Sequence, residues 1–424
     1  MKIMRVIFLI TLLWSFPLLY GQDTVRLEVC YEKAIQYYPV ARDKKLNEQL
    51  SDLRIKNVTS AWYPQLSIGA QASYQSDVTH LDVKLPFPGI TFPEPARDQY
   101  RMTLDINQTI YDGGYAKNQK AVENASQLSE SQKVEIELYQ LKDRINGVYF
   151  SIALIDENIK LIQSAKQSID EKIKSVESAI NNGVLTNPDK DVLLAESLKA
   201  EERLFELNED RESEIRNLSE LTGEKYRASQ KFGLPALFIP DTVAAIRPEM
   251  QLYDLQMKTL DASIKVLGSR TLPRVSFFSQ LGYANPGLNM LSDKFTGYYI
   301  IGASLKWNFW DWNSSKRDRD VLRIQKDIIA DRKSVFELNR SIALKTELSQ
   351  IRKYEKSIDM NTRLVDLRKN ITRSSANKLS SGAITSSDYI ADLNAQLQAE
   401  LNLQLSRIAL IQSLVNYLNI RGEK

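Results

Sequence analysis

Few side chains in this chain are of the kinds that carry catalysis. His80 is the only histidine and Cys30 the only cysteine. A zinc site built from His and Cys is therefore not available. A Ser–His–Asp triad would have to use His80, which sits in a proline-rich stretch that is poor at holding a base rigidly. Cys30, with Leu27, Ala34 and Ile35 around it, reads as a buried thiol on a helix face, and one cysteine allows no intrachain disulfide. The informative groups are carboxylates. Thr186 with Asp189, and Thr385 with Asp388, have the spacing of a capping box, with Asp in place of Glu. Gly183 and Gly382 suit the residue that ends the preceding helix, and Pro188 suits a first turn. Asp392 lies about one turn beyond Asp388. These residues account for two capped helix–turn–helix ends. No enzyme, cofactor or metal is expected.

The elements that position these turns are long. From Val134 to Ile180 apolar residues recur as Val134, Leu138, Leu141, Ile145, Val148, Ile152, Ile155, Ile159 and Ile162, then Ile169, Ile173, Val176 and Ile180, with Lys166 as the polar interruption. Steps of four and three make a heptad seam. With no proline between Asp112 and Gly183, one helix there would be about 105 Å long. It must pack lengthwise on other helices. The return helix, Pro188 to about Leu221, and the helix Arg26–Ala61, kinked at Pro39, are each roughly 50 Å and together match it.

The start bounds the compartment. Lys2 and Arg5 precede an apolar run from Val6 to Leu19, which reads as a secretory leader cleaved near Gly21. The run is short for a membrane-spanning helix. Removing Lys2 and Arg5 takes the net charge from +3 to +1, which argues against nucleic acid as a partner.

The chain repeats itself. Asp112 and Asp311 are 199 residues apart, and so are Gly183 and Gly382, while Pro39 and Pro248, like Pro64 and Pro273, are 209 apart. The expected organisation is a leader over residues 1–21, a first repeat over 22–223, a linker over 224–246 and a second repeat over 247–424. In the second long helix, Asn313–Ser381, the seam is thinner: Leu344, Ile351, Ile358, Val365 and Leu379 alternate with Glu347, Asn361 and Arg368. That helix is expected to lie nearer water.

Each repeat also holds two alternating runs. Leu66, Ile68, Ala70, Ala72 and Tyr74 face away from Gln65, Ser67, Gly69, Gln71 and Ser73. Met102, Leu104, Ile106 and Ile110 oppose Thr103, Asp105, Asn107 and Thr109. In the second copy Val275, Phe277, Leu281 and Tyr283 form one face, and Ile301, Ala303, Leu305, Trp307 and Phe309 another. About ten residues is the length of a tilted membrane strand. Trp62, Tyr63, Tyr111, Trp307, Trp310 and Trp312 cluster at strand ends, as interfacial belts do. A closed membrane barrel needs at least about eight strands and one chain offers four, so copies must share it.

Together these residues resemble a known family. Asn107-Gln-Thr-Ile-Tyr-Asp-Gly-Gly114 looks like the strand-to-helix junction of the TolC family of outer-membrane efflux proteins. Arg247-Pro-Glu-Met250 with Leu272-Pro273 resembles the start of its second repeat. The turns Gly183–Asp189 and Gly382–Asp388 resemble its periplasmic tips. The resemblance implies an α+β membrane protein: a homotrimer with a twelve-stranded outer-membrane barrel and a periplasmic tunnel of coiled-coil hairpins, set in outer-membrane lipid of a Gram-negative bacterium. It implies docking of a periplasmic adaptor (membrane fusion) protein at Gly183, Leu185, Thr186, Gly382, Ile384 and Thr385, and through it an inner-membrane pump of the RND or ABC type. The function implied is an exit duct for efflux or type I secretion. Asp189 and Asp388 fall on family gate positions, and Asp392 could add to a ring. The tyrosine and arginine of the family's gate lock correspond here to Leu379 and Ile384, whose apolar packing would have to hold a closed state instead. The alternative is a periplasmic coiled-coil scaffold or adaptor with two soluble hairpins.

Overall fold

The computed structural model describes residues 24–79, 94, 96–236 and 246–422. The leader, His80, Pro86, Pro88, Pro93, Pro95 and Pro240 lie outside the described residues. The elements run α1 (Leu27–Tyr37), a 3-10 turn (Pro39–Arg42), α2 (Asp43–Ser60), β1 (Gln65–Tyr74), β2 (Asp98–Tyr111), α3 (Tyr115–Asn181) and α4 (Asn187–Thr222). The second half runs α5 (Pro248–Ser269), β3 (Arg274–Asn285), β4 (Thr296–Lys306), α6 (Ser314–Ser380) and α7 (Ser386–Arg421). The internal repeat is visible in the helix lengths: α3 and α6 have 67 residues each, and α4 and α7 have 36 each. Pro39 breaks the first helix, because its ring cannot donate to the ladder and biases Tyr38 to extended backbone. Among the described residues no helix is long and apolar enough to cross a membrane.

The residues form two compact units that cut across the two repeats. One gathers the described residues within Met1–Ala41, Glu135–Pro248 and Glu337–Lys424, the other those within Arg42–Val134 and Glu249–Phe336. In the first unit, the α3 seam buries Leu141, Ile145, Tyr149, Phe150 and Ile152 against Cys30 and Ala34 of α1, Ile215 and Leu218 of α4, and Ile408 and Val415 of α7. Fully buried Tyr149 sits where two chain segments meet, its hydroxyl 2.7 Å from Val25 O and 2.6 Å from Gly233 O. Val25 and Phe232 form a parallel bridge there, which fixes the described start of the linker. Cys30 is buried, and burial pushes its thiol up to about 11, which agrees with an inert core residue. The apolar seam of α6 buries only Ile351, Val365 and Leu379. Its polar interruptions find polar partners on α7: Asn361 donates to Ser406 Oγ at 3.1 Å, and Glu347 accepts from Ser413.

In the second unit the four strands form one antiparallel sheet in the order β1-β2-β3-β4. The register stacks the alternation of every strand. Ile68 pairs with Leu104, Leu104 with Leu281, and Leu281 with Tyr299. Ile106, Met102, Tyr283, Ile301, Ala303 and Leu305 therefore share one face with Leu66 and Ala70. The opposite face carries Ser67, Asp105 and Gln280 in one row, with Gln280 donating to Asp105 at 2.6 Å. β2 is longer than its alternation suggests, 14 residues, with an irregularity between Thr109 and Tyr111. β4 is shorter than expected. It stops at Lys306, so Trp307 and Phe309 follow the strand, and Trp307 donates its indole N–H to Thr271 O at 3.1 Å. The chain then turns into α6 through Trp312 and Asn313, both left-handed.

Candidate functional site at the hairpin turns and the strand ends

The two helical turns share one construction. Gly183 and Gly382 have φ of +73° and +72°, a region where only glycine escapes a Cβ penalty. Gly183 N donates to Ile180 O and Val184 N to Ala179 O, both at 2.9 Å, and Gly382 and Ala383 repeat the pattern onto Leu379 and Lys378. Each helix thus ends in a Schellman motif. Each next helix starts in a capping box. Asp189 Oδ2 accepts from Thr186 N at 3.2 Å and Oγ1 at 2.8 Å, and Asp388 Oδ2 accepts from Thr385 N at 3.0 Å and Oγ1 at 2.8 Å.

The two carboxylates then differ. Asp189 is half-buried, and its other oxygen accepts the N–H of Ser386 at 3.2 Å. Ser386 is the first residue of α7, whose N–H has no partner within its own helix. One carboxylate therefore caps α4 and also reaches the start of α7. Burial works to raise the Asp189 carboxyl, but the Thr186 hydroxyl and the Ser386 and Thr186 N–H groups hold it below the usual range. Asp388 is exposed, and the Thr385 hydroxyl and N–H hold it low. Asp392 faces its own hairpin: Ser375 Oγ donates to its carboxylate, and Thr372 Oγ1 to its carbonyl at 3.2 Å.

Beneath the turns one apolar cluster joins both hairpins. It contains Ile169, Val176 and Leu193 from the first, and Leu379, Tyr389, Ile390 and Leu393 from the second. Leu379 is fully buried, and Ile384 and Leu185 pack on its edge. Lys172 crosses between hairpins. Its ammonium donates to Ala376 O at 3.1 Å and Ser380 Oγ at 3.2 Å, and lies 5.7 Å from the Tyr389 ring centre. Asn394 donates to Glu196 at 3.1 Å one layer further in. Left-handed backbone is not the only constraint at the second turn: a Cβ on Gly382 would lie 2.9 Å from Val184 Cγ1. Spacing alone did not reveal Lys172, Tyr389, Asn394 or the second role of Asp189, since their partners are about two hundred residues away in sequence.

In the sheet unit, Trp307, Trp310, Trp312, Tyr63 and Tyr111 are exposed and Trp62 is half-buried, all at the end of the strands next to the helices. Trp310 and Trp312 pack edge to face at 5.6 Å. The opposite end carries a second aromatic group that the sequence pattern did not single out. Phe295 stacks on Tyr283 at 5.4 Å and lies 6.2 Å from Tyr100, with exposed Tyr74 nearby in the ladder. A ten-residue strand rises roughly 33 Å, or about 25 Å along a membrane normal at a tilt of about 40°, the height of an outer-membrane apolar band between two aromatic girdles.

Residues 32–224 match the family model described as outer membrane efflux protein. No curated protein matched the chain. Among solved structures, CusC superposes with a TM-score of 0.72 at 13% identity, over 97% of this chain and 96% of that one. VceC of Vibrio cholerae gives 0.67 at 14%, over 93% and 96%. The open-state MtrE outer membrane channel of Neisseria gonorrhoeae gives 0.68 at 15%, over 94% and 89%. At such identities the superpositions establish the fold. The first repeat of the chain is thus similar to the outer membrane efflux protein family, and over nearly all its length the chain has the fold of the solved channels.

Proposed function

We propose that the chain is one protomer of a homotrimeric outer-membrane exit duct, residing in the outer membrane with a large periplasmic part. Three four-stranded sheets would close a twelve-stranded barrel, and the hairpins would line a periplasmic tunnel. The observation that carries this reading is the sheet. Its register gathers most apolar side chains of the four strands on one face and most polar ones on the other, with Phe278, Tyr298 and Ile300 as apolar members of the polar face. Among the described residues both outer strands, β1 and β4, have an unpaired edge. An open edge in lipid leaves backbone groups without partners, each costing several kcal/mol. Closure by further copies removes both edges.

In this reading the turns Gly183–Thr186 and Gly382–Thr385 dock a periplasmic adaptor, which couples the duct to an inner-membrane pump of the RND or ABC type. The duct does no chemistry of its own, and the pump supplies the energy. Asp388 stands at the mouth as an ionised, exposed carboxylate; Asp189 and Asp392 are occupied by their hydrogen bonds. The buried Leu379, with Ile384 against the same cluster, supports apolar packing as what holds the turns shut. The test is to extract washed membranes with carbonate, then place the detergent-purified protein in planar bilayers. Retention in the membrane and discrete channels are expected. Release by carbonate or high salt, or no conductance, would instead favour a periplasmic scaffold.

A further inference from the structure

In the sheet unit a cavity of about 580 Å³ lies where the strands meet the helices. That falls within the size range of small-molecule sites, about 300–1,000 Å³. The polar face of the second hairpin forms one wall, with Arg274 and Ser276 on β3 and Lys306 and Ser304 on β4. Trp62, ahead of β1, and Tyr115, at the start of α3, supply aromatic surface. Trp62 is half-buried here, unlike the exposed aromatics of the same strand end.

The wall sets two cations face to face. The register pairs Arg274 directly with Lys306, and like charges so placed repel. Among the described residues neither side chain has a carboxylate within ion-pair distance or a hydrogen bond to the protein. The Arg274 guanidinium lies 5.5 Å from the centre of the Tyr115 ring, which holds its plane and leaves its N–H donors unused. The carboxylate at the cavity's edge, Asp112, is already engaged: Oδ1 accepts from Gly114 N at 2.8 Å and Oδ2 from Ala116 N at 2.7 Å. One rung along the ladder, the Ser276 and Ser304 hydroxyls lie 2.9 Å apart.

The internal repeat separates these charges from the needs of the fold. At the repeat offsets of 209 and 199 residues, Arg274 corresponds to Gln65 and Lys306 to Asn107, and Gln65 and Asn107 also pair directly. Ser304 corresponds in the same way to Asp105. The first hairpin thus builds the same ladder from neutral amides and an acid. What the second hairpin adds is positive charge on the cavity wall.

We propose that this cavity binds organic anions. An oxyanion, carboxylate or phosphate ester, sits between Arg274 and Lys306 beside the two serine hydroxyls, and its apolar body lies against Trp62 and Tyr115. The assignment rests on the shared-barrel reading, in which the polar face lines a water-filled bore, and it names a class of solute that the duct holds in passing. Both cations are exposed, so the hold is weak enough to release what it admits.

The experiment places the purified full chain in planar bilayers and adds naphthyl phosphate as the probe. The single-channel current should fall reversibly and saturably. Inorganic phosphate and the cation naphthylmethylammonium should block far less at equal concentration. Arg274→Gln with Lys306→Asn gives the second hairpin the amide pair that the first already carries, so the protein should assemble. Loss of two exposed ion pairs should weaken the block by about five- to twenty-fold. Trp62→Leu should weaken it as well. Arg101→Gln removes a charge from the same face about 33 Å further along the ladder, well beyond the screening length, and should leave the block unchanged. Lys306→Gln alone tests the same site should the double variant not assemble. Equal block in the charge variants and the wild type, an equal loss in Arg101→Gln, or equal block by inorganic phosphate or by the cation overturns the site while the channels leave the shared barrel standing. Wild-type protein that forms no channels overturns both.

Discussion

Asp189 offers the sharpest test of the hairpin ends. Asp189→Ala removes the acceptor of the Ser386 N–H as well as the capping box of α4. A hydrogen bond to a charged group contributes about 1.5–3 kcal/mol. Asp189 is half-buried, so solvent screening favours the lower half of that range. At about 1.4 kcal/mol per factor of ten, opening at Ser386 should become about 10- to 40-fold more frequent. Asp189→Asn keeps a neutral acceptor and should give a smaller change. Asp388→Ala removes only the box of α7 itself, so Asp388 and its neighbours should loosen while the Ser386 amide keeps its partner. Amide-resolved hydrogen exchange on the detergent-solubilised trimer reads all three. An unchanged Ser386 rate in Asp189→Ala, or the same rate in Asp388→Ala, would refute the claim that this carboxylate serves two helices.

Four further outcomes follow from the same geometry. Gly382→Val meets both a left-handed backbone and Val184, whereas Gly183→Ala meets only the backbone term of about 1–2 kcal/mol; adaptor pull-down should fall further for the first, with the barrel still inserted. Asp388→Asn with Asp392→Asn should raise single-channel conductance or weaken cation preference, most of the change coming from exposed Asp388; no change in planar bilayers would leave Asp388 a cap alone. Asp189 and Asp388 are both held below the usual carboxylate range, so their contribution is present above their unfolded value of about 4 and lost as pH falls through their folded values; protection of the turns should be flat from pH 7 to about 5 and fall only below about 4. Ile68→Arg on the apolar face should cost about 2–4 kcal/mol in the bilayer and block insertion, whereas Ser67→Arg on the polar face should insert; equal insertion would remove the lipid-facing assignment.

What could be read without coordinates was what repeats at short range. Heptad steps located the long helices to within a residue or two, because Gly183 and Gly382 stop them and Thr186 and Thr385 restart them by local chemistry. Alternation located all four strands, since each apolar side chain belongs to one face whatever the strand's partners. Trp307 and Phe309 kept the alternation but not the ladder. The chain there must turn into α6, and Trp312 and Asn313 take left-handed backbone to do it. Long-range pairing stayed hidden. Lys172 looked like one more solvated charge of the helix, and Tyr389 like an ordinary aromatic, until the second hairpin was set beside the first. The outer aromatic group was hidden for a related reason: Tyr283 had already been used to define a strand face, and Phe295 lies just before β4.

The hold of Asp189 on Ser386 has a mechanical consequence. A partner gripping either turn would pull on the other through this carboxylate together with Lys172, Asn394 and the apolar cluster beneath, so load is shared between hairpins before either can slide. The paired turns then form one stiff fingertip, and separating it into two requires that all of these contacts give way.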